Sequence, residues 1–399
     1  MMMSVLQIEE RKAPKRFALF DLGFRPFFLL ASLYAVVAAG LWLGVYFFGA
    51  PWVPAGVPST YWHAHEMVFG YGFAVVAGFL LTVVHNWTGI QTIQNAKLAA
   101  LAGLWLAGRL CYLFHAPWWL TASVEILFAT GLLIAATGPL YRARQWRNIS
   151  IFPVKVVLMG LANLLFYLGA AGLLAEGMRW GLYTGLYLLV ALIFTMARRV
   201  VPFFIERGIG YPVQLRNSKL ADLTSLFGLL GLWIAEMLAP ASVWTAGFAL
   251  ITAGAQVFRL SWWYAKGMWS KPLIWVLWGG LAWVTLGLLM KALAEGLGLI
   301  SLFSAWHAIA YGGVGMVTVG MMARATLGHT GRSVLAPSKM LAPLFLALVI
   351  GAAIRSLIPA ILPAWHGGAV AVSLFIWIGV FSLFFLHHLP LWIGPSKGR

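Results

Sequence analysis

The sequence predicts an all-α protein, a polytopic membrane helix bundle of about twelve transmembrane helices. Three observations carry that prediction. Hydrophobic residues make up 62% of the 399 positions and charged residues only 9%, against about 25% charged and about 45–50% apolar residues in soluble domains. So much apolar surface exceeds what one core can hide, because cores stop growing at roughly 250–300 residues. The apolar residues also fall in successive runs close to the ~20 residues that a helix needs to cross a bilayer. Finally, the basic residues gather in every second connection between those runs.

Taken in chain order, the segment 1–24 mixes Glu9, Glu10, Arg11, Lys12, Lys15 and Arg16. It has neither a leading apolar stretch nor a small-residue cleavage site, so the first span is expected to serve as an uncleaved insertion signal. A single transmembrane domain is expected over 25–388, with its spans separated by proline, glycine and charge clusters. The first span, 25–48, leads through a connection almost free of Lys and Arg to the second, 62–85. The third, 97–115, and fourth, 118–140, flank the short turn Ala116-Pro117. The basic stretch Tyr141–Asn148 then leads to the fifth, 152–175, and the sixth follows at 179–198. Another basic stretch, Arg198–Lys219, precedes the seventh and eighth spans, 219–238 and 241–262. Arg259–Lys271 precedes the ninth and tenth, 272–292 and 301–325. Arg324–Lys339 precedes the eleventh and twelfth, 339–358 and 366–388, and the tail 389–399 carries Lys397 and Arg399. By the positive-inside rule these basic connections and both termini are expected in the cytoplasm, and an even number of spans agrees.

The charge excludes one class of partner and the cysteine content another class of site. A formal net charge of +17 suggests nucleic acid. The charges, however, sit in short loops and form no continuous basic face to track phosphates, so the expected surroundings are the lipid bilayer and no nucleic acid. Cys111 is the one cysteine. It rules out an intramolecular disulfide and any CxxC motif.

Nine histidines remain, each costly in lipid unless partnered. His63, His65, His115, His307 and His366 are expected near the outer face, and His85, His329, His387 and His388 near the inner face. Trp62-His63-Ala64-His65-Glu66-Met67 opens the second span. Residues i and i+2 of an α-helix point about 200° apart, so His63 and His65 face two sites unless the segment departs from regular helix, and Glu66 shares a face with His63. Trp306-His307-Ala308 opens the tenth span in the same direction. Two imidazoles at one depth on different helices suit the axial positions of a haem iron. The same spans end in His85-Asn86-Trp87-Thr88-Gly89 and Gly328-His329-Thr330-Gly331-Arg332. Those histidines lie about 30 Å of helix away from the outer ones, so they form a second site or ordinary loop residues.

Arg109 lies about 18 Å into the third span, and an intramembrane arginine calls for a named partner. Glu125 is that partner, because Ala116-Pro117 is equidistant from the two. The pair is structural, or Arg109 anchors a propionate or another anion. Arg198, Arg199 and Arg324 close the sixth and tenth spans. They set topology, or they bind the carboxylates of a cofactor.

The chain resembles the NnrS family of bacterial inner-membrane proteins linked to the nitric oxide response. The resemblance rests on Arg25-Pro26-Phe27-Phe28, on Trp62-His63-Ala64-His65-Glu66-Met67, and on Gly78-Phe79-Leu80-Leu81-Thr82. It continues through Asn86-Trp87-Thr88-Gly89, Gly108-Arg109-Leu110 and Ala323-Arg324-Ala325-Thr326-Leu327-Gly328-His329-Thr330-Gly331-Arg332. It implies haem and copper as cofactors, nitric oxide as a small-molecule ligand, a role against nitrosative stress, and an unidentified electron donor if the protein is redox-active. The family commonly carries proline where this chain has His85. Residues and resemblance together assign cofactor binding to His63, His65, His307, Arg109 and Arg324, and metal ligation to His63, His65, His307 and His329. A fainter likeness reaches haem–copper oxidase subunit I, which also places haem ligands on its second and tenth of twelve spans. Its copper ligands on the sixth and seventh helices have no counterpart here. The competing expectation is a twelve-helix secondary transporter. Its six-plus-six repeat would echo the second span in the eighth, whereas here the echo is in the tenth.

Overall fold

The computed structural model describes residues 17–397. Most of the expected N-terminal cytoplasmic segment lies outside the described residues. Among those described, twelve helices are long and apolar enough to cross a membrane. They are Phe24–Phe48, Ser59–Thr88, Asn95–Leu113, Trp118–Arg142, Trp146–Ala170, Gly177–Gly208, Lys219–Leu238, Val243–Trp262, Pro272–Leu297, Leu302–His329, Leu341–Ile361 and Pro363–Ile393.

Each expected span has its counterpart. The ends differ because hydropathy marks the apolar stretch, whereas hydrogen bonding continues past it. The sixth span is the clearest case. Its helix runs to Gly208 through Arg198, Arg199 and Pro202, ten residues past the expected end at 198. Its 32 residues reach about 48 Å, more than the ~30 Å of a hydrocarbon core. The twelfth helix likewise continues through Pro390 to Ile393, into the expected tail.

The first and last spans close the bundle. Arg25, only 1% exposed, donates to the carbonyl oxygens of Leu391 at 3.3 Å, Trp392 at 2.9 Å and Gly394 at 2.5 Å, and to Ser396 Oγ at 2.9 Å. Those carbonyls are ones a helix C-terminus leaves unmet, and a cation there also suits the helix dipole. This end, where Arg25 meets residues 391–396, is called the terminal face below. Elsewhere, small residues let backbones approach closely. A Cβ on Gly181 of the sixth span would overlap the Ala162 carbonyl and the Phe166 backbone of the fifth.

Among the described residues, two spans are interrupted by π-helix. In the second, an α-helical start, Ser59–His65, gives way to π-helix over Glu66–Gly72 before α-helix resumes at Phe73. In the tenth, Leu302–His307 gives way to π-helix over Ala308–Gly315 before Met316. Single π turns within α-helices occur frequently at functional sites. Here both begin within three residues of a Trp-His-Ala sequence.

Candidate functional site

The two Trp-His-Ala sequences meet at one cavity. It has a volume of about 340 Å³ and lies in the half of the bundle away from the terminal face. Its wall includes Trp42, His63, Trp306, His307, Tyr311 and Arg355. His63 stacks on Trp42, with ring centroids 4.5 Å apart and planes 14° apart. Its Nδ1 is buried and has no hydrogen-bond partner. His307 Nδ1 lies 2.8 Å from the carbonyl oxygen of Phe303, one turn earlier in its own helix. A carbonyl only accepts, so Nδ1 carries the proton and Nε2 keeps its lone pair. Into that lone pair Arg355 Nη2 donates, at 3.0 Å.

Arg355, from the eleventh span, is 3% exposed. Its Nη1 is buried without a partner, and its guanidinium lies 5.1 Å from the Phe303 ring centroid. Sequence reasoning passed over this arginine. The signal was available: one cation within the apolar run Leu341–Ile361.

His65 faces a different place. Its ring is fully buried, with Nδ1 2.9 Å from Glu66 Oε1 and Nε2 2.8 Å from Asn163 Oδ1. Asn163 Nδ2 donates to Glu125, so its oxygen is the atom left for His65, and His65 Nε2 donates. Arg109 joins the same network. Its Nη1 donates to Glu66 Oε1 at 2.7 Å and its Nη2 pairs with Glu125. Tyr34 donates to the other Glu66 oxygen. The expected Arg109–Glu125 pair is therefore present, with Glu66 added. Arg109, named in sequence as a cofactor-binding residue, stands in this network between two carboxylates. Both ring nitrogens of His65 are engaged there as well. Two carboxylates face one guanidinium, and one further proton, shared between His65 and the carboxylates, brings the network to zero net charge, as burial in lipid favours.

A second ionic cluster lies behind Trp306. Lys291 Nζ is 2.6 Å from both Glu236 Oε2 and Glu295 Oε1 and sits 4.4 Å from the Trp306 ring centroid. Tyr187 donates to Glu236 at 3.1 Å. Sequence reasoning missed this cluster too: Lys291 and Glu295 stand at i,i+4 on the ninth span, a signal that was available, whereas Glu236 comes from the seventh and Tyr187 from the sixth.

The remaining assigned residues are near the terminal face, outside the cavity wall. Arg324 lies over the Phe204 ring at 3.6 Å. His329 Nε2 is 3.4 Å from Asn86 Nδ2, so the second and tenth spans meet at this end as well. His85 Nδ1 contacts the Ile90 carbonyl at 3.2 Å. His388 is buried, with Nδ1 3.0 Å from the Phe384 carbonyl.

The cavity residues fit a haem. The volume lies within the roughly 300–1,000 Å³ of small-molecule pockets, and two imidazoles from different helices share it. A backbone carbonyl fixes the tautomer of one of them, the usual support for a ligating histidine. Copper fits less well. Among the described residues no group of three or more His, Cys, Asp or Glu side chains is placed to hold a metal ion.

An apolar chamber of about 90 Å³ adjoins the cavity, and Leu189 and Val314 line both. Phe28, Val76, Phe152 and Met321 are among its other walls.

Compared with known proteins, residues 18–396 match the family model described as NnrS protein. No curated protein matches the chain.

Proposed function

Because this chain belongs to the NnrS family, we propose that it is a haem-carrying membrane protein of the nitric oxide response, with the haem in the cavity between His63 and His307. Family membership supports the nitric oxide response. The observation that carries the haem site is that both Trp-His-Ala sequences deliver an imidazole to one cavity, His307 with its tautomer fixed.

Bound there, haem would supply an iron that takes nitric oxide or exchanges single electrons. The chain's own part is to hold and orient. The Phe303 carbonyl aims His307 Nε2 away from its own helix, and the Trp42 ring fixes the plane of His63. Tyr311 donates to the Ser373 carbonyl at 3.0 Å and Tyr71 bonds Thr318 at 2.6 Å, so both hydroxyls are engaged with the protein. The adjoining apolar chamber suits an apolar diatomic gas arriving from the bilayer.

The orientation belongs to the same reading. The basic connections at the terminal face support an orientation with both termini in the cytoplasm of a bacterial inner membrane, and with it a cavity in the outer half of the bilayer. Copper, which the family resemblance implies, is assigned to no residue here.

The test is the absorption spectrum of detergent-purified protein, oxidised, reduced, and reduced with nitric oxide, alongside iron and copper quantification. A haem band with near-stoichiometric iron is expected. It should be absent or severely depleted in His307→Ala and His63→Ala protein that still inserts into the membrane. A His307→Ala spectrum identical to wild type would remove the haem from this cavity.

A further inference from the structure

Arg355 is the buried cation whose charge the described residues leave unanswered. Arg109 meets Glu66 and Glu125. Arg259 meets Asp222 at 2.9 Å. Lys291 meets Glu236 and Glu295, and Arg25 meets four oxygens of the C-terminal segment. Arg355 meets one neutral imidazole nitrogen and lies over the Phe303 ring. An arginine does not shed its proton in proteins, and a buried charge without a counter-charge is strongly unfavourable. Nη1 has no partner at all, and the residue forms part of the cavity wall.

We propose that Arg355 is the binding residue for an oxyanion in this cavity, and that it exchanges His307 for that anion on binding. The inference rests on the haem reading only in naming the preferred source of the anion, a carboxylate carried by the haem. A small free oxyanion such as nitrite has the same chemistry. A guanidinium offers parallel donors that match two oxygens of one anion, a geometry a single imidazole nitrogen cannot fill.

The contact with His307 gives the exchange a second consequence. Arg355 Nη2 occupies the lone pair of Nε2, the atom through which His307 would ligate iron. While the anion site is empty, the ligand atom is capped. When an anion draws the guanidinium away, Nε2 is released. One residue therefore couples occupation of the anion site to availability of the axial ligand.

The experiment uses full-length protein prepared haem-free in detergent, titrated with haem and with haem dimethyl ester, which lacks free carboxylates. Binding is read from the haem absorption band and from quenching of tryptophan fluorescence, since Trp42, Trp306 and Trp377 line the cavity. Wild type is expected to prefer haem over the ester by about 10–100-fold, the worth of charge-assisted hydrogen bonds. Arg355→Gln should bind both alike, at the affinity of the ester. Arg355→Lys should recover part of the preference. Nitrite titrated into the haem-free wild type identifies the other source. A saturable fluorescence change that Arg355→Gln lacks, with no haem-over-ester preference, makes the ligand a free oxyanion. Equal binding of haem and ester by wild type together with no response to nitrite overturns the proposal. Those two wild-type titrations decide the matter even if Arg355→Gln does not fold. Failure of the haem reading looks different: His307→Ala would bind haem with an unaltered spectrum, while the nitrite response through Arg355 stands or falls separately.

Discussion

At the scale of single residues, the structure separates two histidines that stand two apart in sequence. His63 faces a cavity and His65 faces an ionic network, as the roughly 200° between such positions requires. Arg109 and Glu125 were legible as a pair because the hairpin turn lies midway between them. The third member, Glu66, was not: its i+3 spacing put it on the face of His63, whereas it meets Arg109 and His65, away from the cavity that His63 faces. Arg355 was readable as an intramembrane cation by the same reasoning as Arg109. Its partner is an imidazole rather than a carboxylate, however, and no search for opposite charges finds it. The Arg109 network supports a stability prediction. Glu125→Ala leaves Arg109 paired with Glu66 but removes the acceptor of Arg109 Nη2 and of Asn163 Nδ2, and a buried donor left unmet costs about 1–3 kcal/mol. Thermal unfolding of the detergent-solubilised variant should shift well below wild type. An unshifted transition would mean that Glu66 alone satisfies Arg109.

At the scale of elements, the spans were legible because apolar runs and basic loops are long-range patterns that one or two residues cannot erase. Their ends were less so. The second helix begins at Ser59 and the sixth ends at Gly208, the sixth running on through Arg198, Arg199 and Pro202, the charges and proline that mark a span's end in sequence. The π turns were not legible at all. Apolar residues surround Glu66–Gly72 and Ala308–Gly315 on every side, so one extra residue per turn leaves no mark on hydropathy. Those turns set the azimuth of everything before them. Deleting Gly312 removes the residue the π turn absorbs and should leave His307 in its place, whereas one alanine inserted between Gly315 and Met316 should rotate His307 by about 100° relative to Met316–His329. The insertion variant should enter the membrane normally and lose its haem band. Retention of the wild-type spectrum by the insertion variant would show that the azimuth of His307 does not govern haem binding.

At the scale of the whole molecule, an apolar chamber and a polar-rimmed cavity lie end to end, meeting at Leu189 and Val314. The proposed route for nitric oxide runs through that meeting. Val314→Trp should fill it. Flash photolysis of the nitric oxide complex should then show rebinding slowed by about tenfold or more, a barrier increase of ~1.4 kcal/mol, with the haem spectrum retained. Unchanged rebinding would direct the gas through another opening. The molecule as a whole also has an order of assembly written into it. Arg25 is made among the first residues of the first span, yet four of its acceptors belong to residues 391–396. They do not exist until the twelfth span has been made. A translation product that stops short, or is clipped near its end, keeps its full set of membrane helices but loses that clasp. Such a chain leaves Arg25 without those acceptors and also loses the hydrogen bonds that tie Ala18 to Ile393 and Thr330 to Lys397, so the join of the first and last spans forms last.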